Sequence, residues 1–421
     1  MEAREDIGRR GFLLAGAALA GASLYDARPA VAASRQGFRH VAALIRNYVA
    51  DGRVAGVSVA VKHRAAPVRY LNAGHLTLGG GRRADEHGLF RIYSMTKPIT
   101  GVAAMMLVGD GRLSLDQPLA DILPQFSAMR VLVDAGAMET RPAAGPILVR
   151  HLLTHTAGFS YAIKSGEPLP RLYREGGVDL LPIPGLSNAT PPRTLDDFAD
   201  RLALLPLGSD PGVRMDYSLS LDLLGLVIQR VSGRPFAQFL RERLFDPLGM
   251  NDTGFYVPGA KLARLATNYR ITGDALAVVD ARARSSFSNP EAPPSGGAGL
   301  VSSARDYMRF CAMLLNDGAY DGVRVMAPRT VRLACSNLAP PGVLTGAGDG
   351  FAAGMRVVLP ESARDGDIPA GAVSWGGAAG TTMWVDHANS FALVMMTQFM
   401  PQDGYPIWEE IRRAAYADLS A

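Results

Sequence analysis

Cysteine is nearly absent. Cys311 and Cys335 are the two in 421 residues, too few for a disulfide-stapled scaffold, so the core rests on hydrophobic burial. Lying 24 apart in the sequence, they either pair in an oxidising compartment or stay as free buried thiols. Lysine is almost as scarce: Lys62, Lys97, Lys164 and Lys261 stand against abundant arginine. With 43 basic and 39 acidic residues the formal charge is +4, and no run of like charge occurs. The pI of about 9.1 therefore does not call for a nucleic-acid partner. Beyond the amino terminus no apolar stretch is long enough to span a bilayer, so no membrane span is expected in a mature chain. There is no Gly-x-Ser-x-Gly elbow and no His-Glu-x-x-His metal motif, which removes the usual α/β-hydrolase and zinc-hydrolase readings. The glycine-rich Ser295-Gly296-Gly297-Ala298-Gly299 lacks the spacing of a dinucleotide or phosphate fingerprint and reads as a loop. No cofactor and no metal are expected.

What is present is apolar bulk. An apolar content of 48% over this length supports two or three domains, or one large enzyme domain with an insertion. The amino terminus reads as a targeting segment: Arg9-Arg10 precede a short apolar stretch to Leu24, and Ala30-Val31-Ala32 offers a small-residue cleavage pattern before Ala33. Residues 1–33 are thus expected to be a twin-arginine signal peptide, with the mature protein periplasmic or secreted. A retained anchor is the alternative.

Ser94-Met95-Thr96-Lys97 opens the apolar run Pro98 to Val108. On a helix, residues three apart share a face, so a helix starting near Ser94 sets its hydroxyl beside the Lys97 amine. A lysine in an apolar, buried helix can act as a base toward a serine. The alternative is an N-cap serine and a lysine that snorkels out of the first turn.

Before this motif, Val41, Ile45, Tyr48 and Val49 keep helical spacing. Val57, Val59 and Val61 alternate as a strand, with an antiparallel partner around Val68 to Leu71. From Leu113 to about Pro294 the chain reads as short helices between Pro- and Gly-rich loops, a helical insertion without strands. His155, within His151 to Gly158, is a possible general base of a Ser-His pair, though a structural role with its ring nitrogens satisfied by backbone is the stronger reading. Tyr217 sits just before an apolar helix, where its phenol can serve as acid or base or simply pack. Ser303 with Asp306 forms a capping box for a helix through Leu315. Trp375-Gly376-Gly377 precedes a hairpin from Thr381 to Phe399, and a closing helix carries Ile407, Trp408, Ile411 and Leu419. Strands at both ends with helices between imply one sheet assembled from the two termini.

In this order and at these separations, Ser94-x-x-Lys97, Tyr217-Ser218-Leu219 and Trp375-Gly376-Gly377 resemble the three motifs of the serine β-lactamase and penicillin-binding-protein superfamily, most closely its family VIII carboxylesterases. The resemblance covers nearly all of the chain beyond the amino-terminal segment. It implies an α+β, class C β-lactamase-like fold: an antiparallel sheet flanked by helices, from residues 34–112 and 300–421, plus a mostly helical domain, 113–299, with the active site between them. It further implies Ser94 as nucleophile, Lys97 as acylation base, Tyr217 as proton shuttle and the amides of Ser94 and Ala378 as oxyanion hole. Trp375, Gly376, Gly377, Tyr161 and Leu219 would bind a small-molecule ester. Where class C enzymes carry Lys-Thr-Gly, this chain has Trp375-Gly376-Gly377, and Leu219 replaces an asparagine. The lost lysine would have met a β-lactam carboxylate, so uncharged esters suit the pocket better and β-lactam binding should be weak. Alternatives are a β-lactamase or D-alanyl-D-alanine carboxypeptidase-like activity, or a non-catalytic module that binds penicillin or peptidoglycan.

Overall fold

A computed structural model describes residues 37–134, 138–164, 168–181, 189–363 and 368–421. The expected signal peptide, residues 1–33, lies outside the described residues. A seven-stranded antiparallel sheet runs, edge to edge, through Gly350–Phe351, Arg356–Val357, Val373–Gly376, Thr382–Asp386, Phe391–Met396, Gly56–His63 and Arg69–Gly74. Both ends of the chain therefore contribute strands, as expected. The strand pair Gly56–His63 against Phe391–Met396 is buried over most of its length because both faces are covered. Period-two alternation sorts the side chains. Val57, Val59, Val61, Phe391, Leu393 and Met395 join one cluster, whereas Ala60, Ala392, Val394 and Met396 join the larger core on the opposite face.

The first cluster is closed by two terminal helices, Arg39–Ala50 and Ile407–Ser420, through Val41, Ile45, Tyr48, Ile407, Ile411 and Ala415. Asp418, on the second helix, accepts the free amides of His40 and Val41 at 3.1 Å each, capping the first helix and meeting the positive end of its dipole. The Ala304–Leu315 helix covers the other face; its N-cap Ser303 accepts the amide of Asp306, and it ends at Asn316, matching the sequence signal. Cys311 and Cys335 are free buried thiols, so the pairing alternative is not realised.

Residues between the two halves of the sheet are mostly helical, but the expectation of a strand-free insertion is corrected. Arg130–Asp134 pairs with Glu139–Pro142, and Asn268–Thr272 pairs with Ala275–Asp280 around Gly273, whose φ of +59° suits glycine. The second hairpin escapes sequence pattern because Val278 and Val279 are both exposed, so no buried alternation marks it. It also pairs in parallel with Phe399–Met400, tying the insertion to the sheet next to the site.

Candidate active site

The strand Phe90–Arg91 delivers the chain to a single 3₁₀ turn, Tyr93–Met95, and the α-helix proper runs Thr96–Gly109. Ser94 thus lies in the turn that runs directly into the helix, so the helical stretch starts near Ser94 as expected. Tyr93 holds φ of +41°, an uncommon backbone for a bulky residue, of the kind that clusters at functional sites. The helix is buried from Thr96 to Leu107. Gly101 makes that burial possible, since a Cβ there would lie 2.3 Å from the Ala353 carbonyl oxygen. Lys97 is fully buried and does not snorkel out. Its Nζ lies 3.3 Å from Ser94 Oγ and donates to the Gly297 carbonyl at 2.7 Å. It also sits 4.5 Å from the ring centroid of Tyr217 and 5.5 Å from that of Tyr161.

Tyr217 precedes the Ser220–Ser232 helix, and its hydroxyl reaches Ser94 Oγ at 2.5 Å. Its ring is held on several sides: Tyr161 stacks on it at 5.5 Å and 26°, His155 lies at 4.8 Å and Trp375 at 5.9 Å. Lys164 forms an ion pair with the preceding Asp216. The structure thus brings Ser94, Lys97 and Tyr217 together. His155 Nδ1 accepts the Ser218 amide at 3.2 Å and lies as close to the Ser218 hydroxyl, while its Nε2 is buried without a partner. Burial, then the Lys97 and Lys164 charges, holds its pKa well below the usual histidine value. The hydroxyl of Ser94 is met by Tyr217 and Lys97, and His155 supports the tyrosine motif instead, with one ring nitrogen satisfied rather than the two expected.

The glycine-rich stretch read as a plain loop belongs to this constellation. Asp222, on the helix after Tyr217, accepts from Ser295 Oγ at 2.5 Å and from the Gly297 amide at 3.0 Å. The same loop presents the Gly297 carbonyl to Lys97 and the Gly296 carbonyl to Thr100 Oγ1, 2.7 Å away. Burial pushes the Asp222 carboxyl up, and the Lys97 charge opposes that shift. A Cβ on Gly297 would lie 2.4 Å from Asp222 Oδ2. Gly297→Ala is therefore expected to displace the carbonyl that holds Lys97 and to lower kcat by about a hundredfold, the scale of a 1 Å misplacement. Steady-state kinetics beside a thermal melt checks this.

Two cavities of about 490 and 500 Å³ meet at Ser94, Ile163, Tyr217 and Ala378. The first is lined by Trp375, Gly376, Arg356, Trp408 and Arg412. The second takes in Tyr161, Leu219, Asp179, Val278, Phe287 and Arg284. Gly377 lines neither: its amide donates to the Thr381 carbonyl at 2.8 Å, and a Cβ would strike the Ile92 carbonyl at 2.3 Å. Trp375 touches Phe351 edge-on at 5.2 Å, and its indole nitrogen is buried without a partner. Among the described residues no cluster of three or more His, Cys, Asp or Glu could hold a metal, and no helix is long and apolar enough to cross a membrane.

The model of the beta-lactamase family matches residues 41–416. The chain belongs to that family. Its relatives include Protein Rv1367c of Mycobacterium tuberculosis, 35% identical over 377 residues that cover 85% of this chain and 89% of that one. Esterase EstB of Burkholderia gladioli is 33% identical over 393 residues, covering 87% and 92%. Among solved structures, EstCE1, described as a hydrolase with promiscuous acyltransferase activity, superimposes with a TM-score of 0.74 at 26% identity over 90% of this chain and 98% of that one. As a beta-lactamase-family member the chain is a hydrolase on an α/β scaffold with a large antiparallel sheet, the class expected from its motifs.

Several residues at this beta-lactamase-fold site carry no sequence signal of their own. Asp222 is visible only as the acid five residues after Tyr217 in an otherwise apolar helix. His151 is a further buried imidazole nearby: its Nδ1 accepts the Leu148 amide at 3.1 Å, and burial, then Arg150, lowers its pKa to about 4. The unfolded chain takes up this proton first. The stabilisation is therefore complete above pH 6.5 and is lost as pH falls toward 4, by about 3 kcal/mol. Thermal melts between pH 7 and 4 should show a shallower decline for His151→Gln than for the wild type.

Proposed function

We propose that this chain hydrolyses carboxylic esters of short to medium acyl chain length through an acyl-enzyme on Ser94. The observation that carries this reading is the contact of Ser94 Oγ with both Tyr217 Oη, at 2.5 Å, and Lys97 Nζ, at 3.3 Å, where two cavities meet. Ser94 attacks the ester carbonyl and its proton passes to Lys97. The amides of Ser94 and Ala378 receive the oxyanion of the tetrahedral intermediate. Tyr217 hands a proton to the departing alcohol as the carbon–oxygen bond breaks. It then takes one from the water that attacks the acyl-enzyme, Lys97 returns its proton to Ser94 Oγ as the acyl–oxygen bond breaks, and the acid leaves with Ser94 restored. Trp375, Gly376, Tyr161 and Leu219 shape the slots on either side of Ser94.

An ester suits the site better than a β-lactam because Trp375 supplies no charge to a carboxylate, whose desolvation costs several kcal/mol without a cation or donors. Arg356 and Arg412 line the same cavity. Arg356 is already paired with Asp349 at 2.5 Å, so β-lactam binding should be weak. The resemblance to Esterase EstB over 87% of the chain supports the ester reading. The test compares kcat/KM for p-nitrophenyl butyrate with that for nitrocefin, in the wild type and in Trp375→Lys. The ester should win in the wild type, and the lysine should shift the ratio toward nitrocefin. A wild type that favours nitrocefin refutes the ester assignment, and covalent labelling without turnover would make the chain a binding module.

We also propose export through the Arg9-Arg10 segment, on the strength of the twin arginines, the short apolar stretch and the small-residue pattern before Ala33. Amino-terminal sequencing of the protein from its native host should begin near Ala33, and changing both arginines to lysine should stop export. Cytoplasmic protein with Met1 intact would contradict it.

A further inference from the structure

Asp179 has no part in the mechanism above, yet it lines the second cavity beside Ser94, Tyr217 and Leu219. It is 8% exposed, and no donor among the described residues hydrogen-bonds its carboxylate. Arg174, whose charge acts on it, directs its Nη1 at the carbonyls of Ala162 and Lys164, each 2.7 Å away. Of the other two acids on this wall, Asp222 holds Ser295 and Gly297 through Oδ1 and has its Oδ2 buried away from solvent, without a partner, and Asp280 is paired with Arg91. Burial, then the Asp222 charge, raises the Asp179 pKa to about 6, with Arg174 opposing, so the group is ionised at neutral pH. Its oxygens are not among the buried atoms that lack a partner and open to the cavity, where water serves them, so a purely apolar substrate that displaces this water leaves the charge without a hydrogen bond, at a cost in free energy. A ligand that brings a donor relieves that cost.

We propose that Asp179 is a specificity residue that receives a hydroxyl or amino group carried by the ester, in its acyl part or its alcohol. The assignment rests on the esterase reading and names its substrate class: esters with a hydrogen-bond donor, seated in the lobe bounded by Tyr161, Leu219, Val278 and Phe287. The apolar members of that wall hold the carbon chain, and the carboxylate fixes its far end. Small apolar sites discriminate weakly, whereas a site built around a polar group discriminates by tenfold or more.

The test uses the full-length enzyme and matched pairs. The acyl pair is p-nitrophenyl hexanoate against the 6-hydroxy and 6-amino hexanoates; the alcohol pair is 1-butyl butyrate against the monobutyrate of 1,4-butanediol. The wild type should favour a donor-bearing ester over its parent by roughly tenfold or more in kcat/KM in at least one pair, the scale of a hydrogen bond to a charged group. In Asp179→Leu the preference should reverse, with the parent ester gaining. Asp179→Asn, which keeps shape and an acceptor, should fall between them, and a circular dichroism spectrum and melt identify any variant that fails to fold. Turnover of all esters without a preference for the donor-bearing ones overturns the role of Asp179 alone, as does a preference that survives Asp179→Leu. No ester turnover by the wild type overturns the esterase reading, and this assignment with it.

Discussion

Ser94→Ala is expected to remove hydrolysis of p-nitrophenyl butyrate, by on the order of a thousandfold or more, while the fold stays intact. The size of the effect follows from the proposed mechanism, in which no acyl-enzyme forms without Oγ and only the proposed oxyanion amides and binding remain to assist water. The stability cost is small because Ser94 is half-buried, and its loss leaves Lys97 Nζ still bonded to the Gly297 carbonyl. The Tyr217 hydroxyl loses one partner at the mouth of two cavities, where water can replace it. Kinetics with equal circular dichroism spectra checks this; substantial residual turnover by folded protein would assign the nucleophile elsewhere.

Lys97→Met should be nearly as damaging, because methionine keeps the length and packing of the side chain but accepts no proton from Ser94. Here stability also falls. The Gly297 carbonyl is left buried without its donor, a cost of about 1–3 kcal/mol, although Met suits the apolar helix better than a lysine does. Because the residues act as one unit, Ser94→Ala combined with Lys97→Met should be no slower than Ser94→Ala alone. A folded Lys97→Met enzyme with near wild-type kcat would shift the proton acceptor to another group. If His155→Ala proved as severe as Lys97→Met in a folded protein, the Ser-His alternative would regain its place. The geometry argues against that, since His155 Nδ1 is occupied by the Ser218 amide.

The parts of the site legible in the sequence are those carried by short local motifs. Ser94 and Lys97 lie three apart at the head of an apolar run, and Tyr217 and Trp375 each open a recognisable junction. The sheet was legible as well, because Val57, Val59, Val61 and the run Phe391 to Met396 keep strand character between clear turns. Asp222 and Gly297 were not, because their roles depend on a meeting across 75 residues of sequence, and a loop carbonyl has no residue-type signature at all. Asp179 was missed for a related reason: a single aspartate among short helices looks solvated until the fold buries it. The Asn268–Asp280 hairpin was hidden because its solvent face carries valines, which erases the apolar–polar alternation that marks a half-buried strand.

The central claim is a covalent intermediate on Ser94. Mixing enzyme with excess p-nitrophenyl butyrate, quenching in acid within the first turnovers and mapping peptides by mass spectrometry tests it directly. A butyryl group on Ser94, absent from Ser94→Ala and released on the timescale of kcat, is the predicted result. Full turnover with an unmodified Ser94, or a butyryl group carried by any other residue at kinetically competent levels, would contradict it.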